Sequence, residues 1–228
     1  MVRDVVVERG EVIGRTLQID VVSDVMCPWC MIGKRRLEGA IETFGGAVDV
    51  RWRPFQLDPT LPPGGRDRRE YLETKFGGPE RAKAIYSRIE EAGREEGIEF
   101  AFDRIAVSPN TLDAHRLIRW AGSAAKDAQS RVVDALFEAF FLRGRDIGSH
   151  DVLVDVTRDC GMDEAIVADL LATDRDVEAV REAIAQARAM GVTGVPCFIV
   201  DRRYAIMGAE PADTLVAAMN TASAAPAS

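Results

Sequence analysis

The sequence predicts an α/β protein in which a strand–helix–strand unit comes first, a long helical stretch follows, and mixed structure returns at the end. Residues 17–22 form a run typical of a buried strand, and residues 30–44 place apolar side chains at helical spacing. From about residue 61 to residue 174 nearly every periodic segment is helical, and strand patterns return only after residue 190. This order indicates a sheet domain with a large helical insertion.

Composition and charge narrow the classes of function. The chain has 228 residues, of which 47% are hydrophobic and 29% charged, and its net charge is −8. An acidic balance argues against nucleic acid or an anionic membrane as the main partner, because both require a basic face. The N-terminal residues lack the apolar core of a secretory signal, and no apolar run approaches the ~20 residues of a membrane span. We therefore expect a cytoplasmic protein, whose oligomeric state the sequence does not predict.

Residues 16–60 are predicted to form one strand–helix–strand unit. After the first strand, small or apolar side chains define the inner face of a helix: Cys30, Gly33, Leu37, Ile41 and Phe44. Lys34 is assigned to the charged outer face, and Gly45 and Gly46 end the helix. Residues 48–55 then alternate as a strand does, and the two strands are expected to be parallel with a right-handed crossover.

Residues 61–174 are predicted to form the helical insertion. Its helices are expected at residues 68–76 and 80–97, from Asn110 with Asp113 as a capping pair, at residues 127–143, from Ser149, and at residues 163–172. The apolar stripes on these helices are typical of packing rather than of a ligand site.

Residues 175–220 are predicted to complete the sheet domain, which would make that domain discontinuous. A helix at residues 175–190, a strand ending at residue 200, a turn, a strand at residues 204–207 and a closing helix at residues 211–220 are expected. Pro196 cannot donate to a sheet ladder, so it marks either the first residue of its strand or a special turn, and a cis bond is a candidate there. Residues 1–15 are expected to be an extension, with a short strand at residues 5–7 or no regular structure, and residues 221–228 a flexible tail.

The CPWC stretch of residues 27–30 predicts redox chemistry. Cys27 lies where a strand passes into a helix, and unpaired N–H groups with the helix dipole favour a thiolate there. Cys30 follows one turn later on the same side, so Cys27 is expected to attack a disulfide and Cys30 to resolve the mixed disulfide. The competing interpretation is half of a zinc site, but no second close pair of cysteines exists and His115 and His150 lie outside ligand spacing. We therefore expect no metal.

The residues around the pair indicate how readily a thiolate should form there and what a substrate should contact. Pro28 fits the first turn of a helix, and Trp29 is expected either to offer a flat apolar contact to substrate or simply to pack. No histidine separates the cysteines and Asp24 is near, so a moderate thiolate with a reductase or isomerase poise is expected. The other cysteines, Cys160 and Cys197, are expected to be buried small residues.

This order of elements resembles the DsbA-like branch of the thioredoxin superfamily over nearly the whole chain after residue 15. Within that branch, residues 23–33, 55–59 and 110–117 most resemble the FrnE-like oxidoreductases, which are relatives of the 2-hydroxychromene-2-carboxylate isomerases and kappa-class glutathione transferases. The resemblance implies a thioredoxin-like fold with a large helical insertion and the activity of a protein disulfide oxidoreductase or isomerase. Its substrates would be proteins or small molecules that carry a thiol or disulfide.

The resemblance also implies roles for residues far from the cysteines. Val195 and Pro196 would form a cis-proline loop that faces the pair, with the Val195 backbone pairing to an extended substrate. The stretch Gly208-Ala209-Glu210 would lie near the γ-glutamyl end of glutathione, which is then a co-substrate rather than a tightly bound cofactor.

Two other functions remain open from the sequence. A glutathione-dependent isomerase or transferase is the first alternative, although the relatives of that kind carry serine at the position of Cys27. A non-catalytic binding module on a thioredoxin scaffold is the second. Cysteine at both positions of the pair favours disulfide exchange.

Overall fold

The computed structural model describes residues 15–124, 127–158 and 160–225. The strand considered at residues 5–7 lies outside the described residues, as do most of the expected extension and the end of the expected tail.

The strand–helix–strand unit forms as the sequence predicts. It consists of β1 (Leu17–Ser23), α1 (Pro28–Phe44) and β2 (Val48–Pro54), and the two strands pair in parallel. Nearly all of β1 is buried, including its polar residues Asp20 and Ser23. The helix ends at Gly45, whose φ of 68° suits glycine and whose N–H donates to the Ile41 carbonyl.

The insertion is mostly helical, as predicted. It contains β3 (Arg66–Asp67), α2 (Arg68–Phe76), α3 (Pro79–Glu95), β4 (Val107–Ser108), α4 (Leu112–Ala121), α5 (Ala128–Phe137), α6 (His150–Arg158) and α7 (Glu164–Leu171). The single helix predicted over residues 127–143 is α5 continued by a π-helical segment, Glu138–Leu142. The antiparallel pair of β3 and β4 was not predicted, because two residues per strand are too few to show an alternating pattern.

The last part of the chain completes the sheet with α8 (Val177–Ala189), β5 (Cys197–Val200), β6 (Tyr204–Met207) and α9 (Ala212–Ala224). The strand order is β2-β1-β5-β6, with β5 antiparallel to β1 and β6 antiparallel to β5. Helices α1 and α9 pack against each other, whereas α8 packs on β2 and α4. Helix α9 extends beyond residue 220 because Leu215, Met219 and Ala222 continue its buried stripe.

The predicted capping pair at the start of α4 is wrong. The Asn110 carboxamide oxygen accepts a hydrogen bond from the Leu112 N–H at 2.9 Å, while its NH₂ group donates to the Leu61 carbonyl at 2.6 Å. The Asp113 carboxylate instead accepts from Arg116 at 2.7 Å. The N-cap residue is Thr111, and Asn110 and Asp113 do not form the reciprocal pair that the pattern predicted.

The assignment of Lys34 to the outer face of α1 is also wrong. Its side chain is only 7% exposed, and its ammonium group pairs with Glu38 one turn later on α1 and with Asp134 of α5. Because α5 covers this side of α1, the lysine is buried with its charge paired rather than exposed to water.

Sheet and insertion share one hydrophobic core. A single continuous cluster of buried side chains includes Val21 and Phe198 of the sheet, Leu37 of α1, and Leu136 and Phe141 of the insertion. Among the described residues, no helix has both the length and the apolar character needed to cross a bilayer. The division into sheet and insertion domains stays a prediction from the sequence.

Candidate active site

Cys27 lies directly before α1, at the position that caps its N-terminus. Its backbone is extended, with φ of −94° and ψ of 113°, and Pro28 is the first helical residue. The Cys27 N–H donates to the Asp24 carbonyl at 2.9 Å, and the Cys30 N–H donates to the Cys27 carbonyl at 3.0 Å. The turn of residues 24–30 therefore fixes the Cys27 sulfur at the positive end of the α1 dipole.

The two thiols have different surroundings. No disulfide joins the two cysteines in this structure. The Cys27 thiol donates to the Val195 carbonyl, with sulfur and oxygen 3.7 Å apart. Cys30 is 1% exposed, and burial raises the pKa of its thiol well above the usual value, with a further upward contribution from Cys27. Cys30 is therefore the thiol that keeps its proton.

A serine hydroxyl lies beside the buried thiol. The Ser23 side chain and the Asp24 backbone are close enough to the Cys30 sulfur to oppose the upward shift of its pKa. Ser23 is 4% exposed, and its Oγ atom has no hydrogen-bond partner with suitable geometry. The hydroxyl can therefore donate to the sulfur when Cys30 ionises.

The Asp24 carboxylate is fully buried and is bound by groups outside α1. It accepts from the Leu57 N–H at 2.8 Å and from the Met26 N–H at 3.4 Å. The Nε2 atom of His115 lies 3.4 Å from the same carboxylate and 2.8 Å from the Phe55 carbonyl. His115 thus serves as a helix residue whose ring is bound within the fold.

The loop of residues 195–196 comes close to α1. The Val195–Pro196 peptide bond is cis. A Cβ atom on Gly33 would lie 2.8 Å from Pro196 Cγ and 3.1 Å from Phe198 Cζ, so only glycine permits this approach. The structure therefore brings Val195 and Pro196 to the cysteines, as the resemblance implies.

The residues implied in glutathione binding lie next to that loop. The Gly208 N–H donates to the Pro196 carbonyl at 2.8 Å. Arg36 of α1 donates to the Ala209 carbonyl at 2.6 Å, and its guanidinium also pairs with Glu96 at 2.6 Å. Gly208 and Ala209 are thereby fixed against α1, whereas Glu210 is exposed.

The other residues singled out from the sequence are mostly buried. Trp29 is half-buried and packs against the core, so its ring is only partly available to a substrate. Cys197 is buried and its pKa is raised by burial, and Cys160 is buried as well. Neither Cys27 nor Cys30 lines a cavity of about 940 Å³ that lies along the edge strand β2.

Two residues near the site were not found from the sequence. Burial raises the pKa of Tyr86 on α3, and Cys27 is close enough to contribute to that shift. Arg68, the first residue of α2, donates to the Tyr86 hydroxyl at 3.1 Å. Both belong to the insertion, and no local pattern indicates that they approach a cysteine of the first unit.

Fold and site together define a thioredoxin-fold protein with a dithiol at a helix N-terminus facing a cis-proline loop. Residues 18–220 match the model of the DSBA-like thioredoxin domain. The chain therefore belongs to the DSBA-like thioredoxin family.

Known proteins are similar over most of the chain. The uncharacterized protein YwbO of Bacillus subtilis is 29% identical over 186 residues, which cover 81% of this chain and 87% of YwbO. The probable DsbA oxidoreductase SCO1869 of Streptomyces coelicolor is 30% identical, with a TM-score of 0.82 and coverage of 90% and 89%. A 2-hydroxychromene-2-carboxylate isomerase shares the fold, with a TM-score of 0.69, 17% identity and coverage of 90% and 95%.

Proposed function

We propose that this protein is a thiol–disulfide oxidoreductase in which Cys27 is the nucleophile and Cys30 the resolving thiol. The observation that carries the proposal is the asymmetry of the pair. Both thiols are buried, but the Cys27 sulfur lies at the N-terminus of α1 against the Val195 carbonyl, whereas burial raises the pKa of Cys30 well above its usual value. In a dithiol of this kind one sulfur attacks the substrate, and the other stays protonated until it resolves the mixed disulfide.

The exchange needs no cofactor. The Cys27 thiolate attacks one sulfur of a substrate disulfide, a bond forms between the two sulfurs, and the other substrate half leaves as a thiolate that takes up a proton. Cys30 then loses its proton and attacks the Cys27 sulfur, which forms the Cys27–Cys30 disulfide and releases the second substrate thiol. Two electrons have passed from the pair to the substrate.

The surroundings of the pair support each step. The N–H groups and dipole of α1 stabilise negative charge on Cys27 when it attacks and when it leaves. The raised pKa of Cys30 keeps this thiol protonated, so Cys30 does not attack the mixed disulfide as soon as it forms. The Val195 backbone lies next to the attacked sulfur, where an extended chain could pair with it.

Two substitutions test the proposal. Cys27→Ser is expected to abolish disulfide exchange, whereas Cys30→Ser should still react and accumulate a mixed disulfide at Cys27, detectable by mass spectrometry. Cys160→Ser is the matched control, because it removes a buried cysteine that takes no part in the exchange. Failure of Cys30→Ser to form a mixed disulfide with either a protein or glutathione would contradict the proposal.

Glutathione is the proposed co-substrate, with Gly208, Ala209 and Glu210 at its γ-glutamyl end. The contacts that fix Gly208 and Ala209 beside Pro196 support this placement. A glutathione-dependent isomerase or transferase is the alternative, and Cys27→Ser separates the two: it ends exchange but leaves an isomerase able to hold glutathione. The proposed cytoplasmic location is tested by cell fractionation.

A further inference from the structure

Arg68 is a buried cation without a carboxylate partner in the described part of the chain. It is 5% exposed, and burial lowers the pKa of its guanidinium. The groups that act on its charge are the phenols of Tyr86 and Tyr71 rather than an Asp or Glu. A buried charge left uncompensated is costly, so its retention indicates a partner from outside the protein.

Three aromatic rings surround the Arg68 guanidinium, and only some of its N–H donors are used by side chains of the described residues. Its central carbon lies 5.2 Å from the ring centre of Tyr86, 5.8 Å from that of Phe102 and 5.5 Å from that of Phe140. An arginine has five N–H donors, and the one side-chain hydrogen bond found for Arg68 goes to the Tyr86 hydroxyl. Because that hydroxyl accepts from Arg68, its own proton is available to a ligand.

A cavity gives access to this group. It has a volume of about 340 Å³, lies between α2 and α3, and is lined by both Arg68 and Tyr86. Of the charged residues in its wall, Arg68, Arg69 and Lys83 outnumber Glu73 and Asp103. The cavity is therefore locally cationic on a chain whose net charge is −8.

We propose that Arg68 and Tyr86 form a subsite for a carboxylate carried by a small-molecule disulfide substrate. This inference rests on the proposed exchange at Cys27 and specifies its substrate class. A carboxylate can accept two parallel hydrogen bonds from a guanidinium, a geometry that neutral ligands do not match. The subsite consists of insertion residues, whereas Gly208 and Ala209 follow β6.

Tyr86 connects the subsite to the reacting sulfur. Its hydroxyl accepts a hydrogen bond from Arg68, and its ring packs edge-on against Phe102, with the ring centres 4.7 Å apart. Phe102 packs in the same apolar cluster as Trp29, which lies two residues after Cys27. We therefore expect a disulfide at Cys27 to direct its carboxylate along these side chains toward Arg68. The exchange itself is unchanged: the dithiol loses two electrons, and the acidic disulfide becomes two thiols.

A charge series tests the inference. Reduced protein is mixed with 3,3′-dithiodipropionate, bis(2-hydroxyethyl) disulfide or cystamine, which are anionic, neutral and cationic disulfides of similar size. The rate of thiol loss at Cys27 and Cys30 is followed by alkylation and mass spectrometry. The net charge alone would favour cystamine. We expect the dicarboxylate to react about tenfold faster than the neutral disulfide, the ratio that one charge-assisted hydrogen bond supplies.

Variants assign the preference to the subsite. Arg68→Gln should reduce the ratio of dicarboxylate to neutral rates to about one, and Tyr86→Phe should lower it severalfold. Arg88→Gln is the matched control, because it removes the same charge from an exposed position of α3 near Tyr86.

Each outcome decides a separate point. Absence of the preference in the wild type, or its equal loss in Arg88→Gln, would overturn the subsite. Should Arg68→Gln fail to fold, Tyr86→Phe decides, since an unchanged ratio in that variant also excludes the subsite. No reaction of the wild type with any of the three disulfides would instead contradict the proposed exchange itself.

Discussion

At the scale of single residues, the burial of Cys30 sets the pH dependence of resolution. A mixed disulfide at Cys27 removes the influence of that thiolate, but burial remains the largest cause that raises the Cys30 pKa. Only the thiolate attacks, so release of the second substrate half should accelerate about tenfold per pH unit below that pKa. Stopped-flow release of a labelled thiol from a preformed mixed disulfide, between about pH 6 and 9, measures this rate. A rate independent of pH would exclude a protonated Cys30.

The hydroxyl of Ser23 is expected to position and stabilise the Cys30 thiolate. Its Oγ atom is buried without a partner beside that sulfur, and a hydrogen bond to a charged group contributes about 1.5–3 kcal/mol. Ser23→Ala should therefore shift the pH profile of resolution upward by about one to two units and slow release at neutral pH about ten- to a hundredfold.

Ser108 offers a matched control for that substitution. Its Oγ atom is also buried without a partner, but it lies in β4 of the insertion. Ser108→Ala should leave the pH profile of resolution unchanged. If both variants shift the profile equally, the effect of Ser23 is a general consequence of removing a buried hydroxyl.

The sequence predicted that the two cysteines are the reactive residues because disulfide exchange is typical of two cysteines three residues apart, and this spacing is visible in the sequence. It could not predict Ser23 or Tyr86 as neighbours of the pair, because their importance depends on which side chains pack beside a sulfur in three dimensions. Asp24 illustrates the same limit, since its carboxylate proved to be bound by Leu57 and His115.

At the scale of elements, the closeness of α1 to the loop at Pro196 depends on Gly33. Alanine at this position would improve helix propensity by about 1 kcal/mol, but its Cβ atom would overlap Pro196 Cγ at 2.8 Å. We expect Gly33→Ala to lower the free energy of unfolding by about 1–2 kcal/mol and to reduce disulfide exchange. Urea denaturation and a turnover assay measure the two effects.

Gly39 provides the comparison within the same helix. No atom lies within 4 Å of a Cβ built there, so Gly39→Ala should raise the free energy of unfolding by up to about 1 kcal/mol without changing exchange. Equal effects of the two substitutions would show that the approach of the loop does not restrict position 33.

Periodicity predicted α1 and β2 because one face of each packs on the core and apolar residues recur along that face. It failed at the start of α4, where Asn110 and Asp113 bind groups that are distant in sequence. It also missed β3 and β4, whose pairing joins residues 66–67 to residues 107–108. Local patterns therefore predicted the long elements and not the contacts that join them.

At the scale of the whole molecule, the sequence suggested a sheet domain and an insertion, whereas the largest cluster of buried side chains includes residues of both. Phe198 of β5 and Phe141 of the insertion belong to that cluster, and both are fully buried. Sharing of one core couples the two parts energetically, since unfolding either would expose apolar surface of the other.

Unfolding should therefore be cooperative across the sheet and the insertion. We expect urea denaturation followed by far-UV circular dichroism and by tryptophan fluorescence to give one coincident transition. Phe198→Leu and Phe141→Leu should each lower its midpoint, by about 1 kcal/mol or more of unfolding free energy, without splitting it. Met190→Ala is the control, because this side chain is 67% exposed and should leave the midpoint unchanged. Two separated transitions would instead establish two independently folding domains, provided that each phenylalanine variant shifts a different transition. The shared core would then not couple the stabilities of the sheet and the insertion.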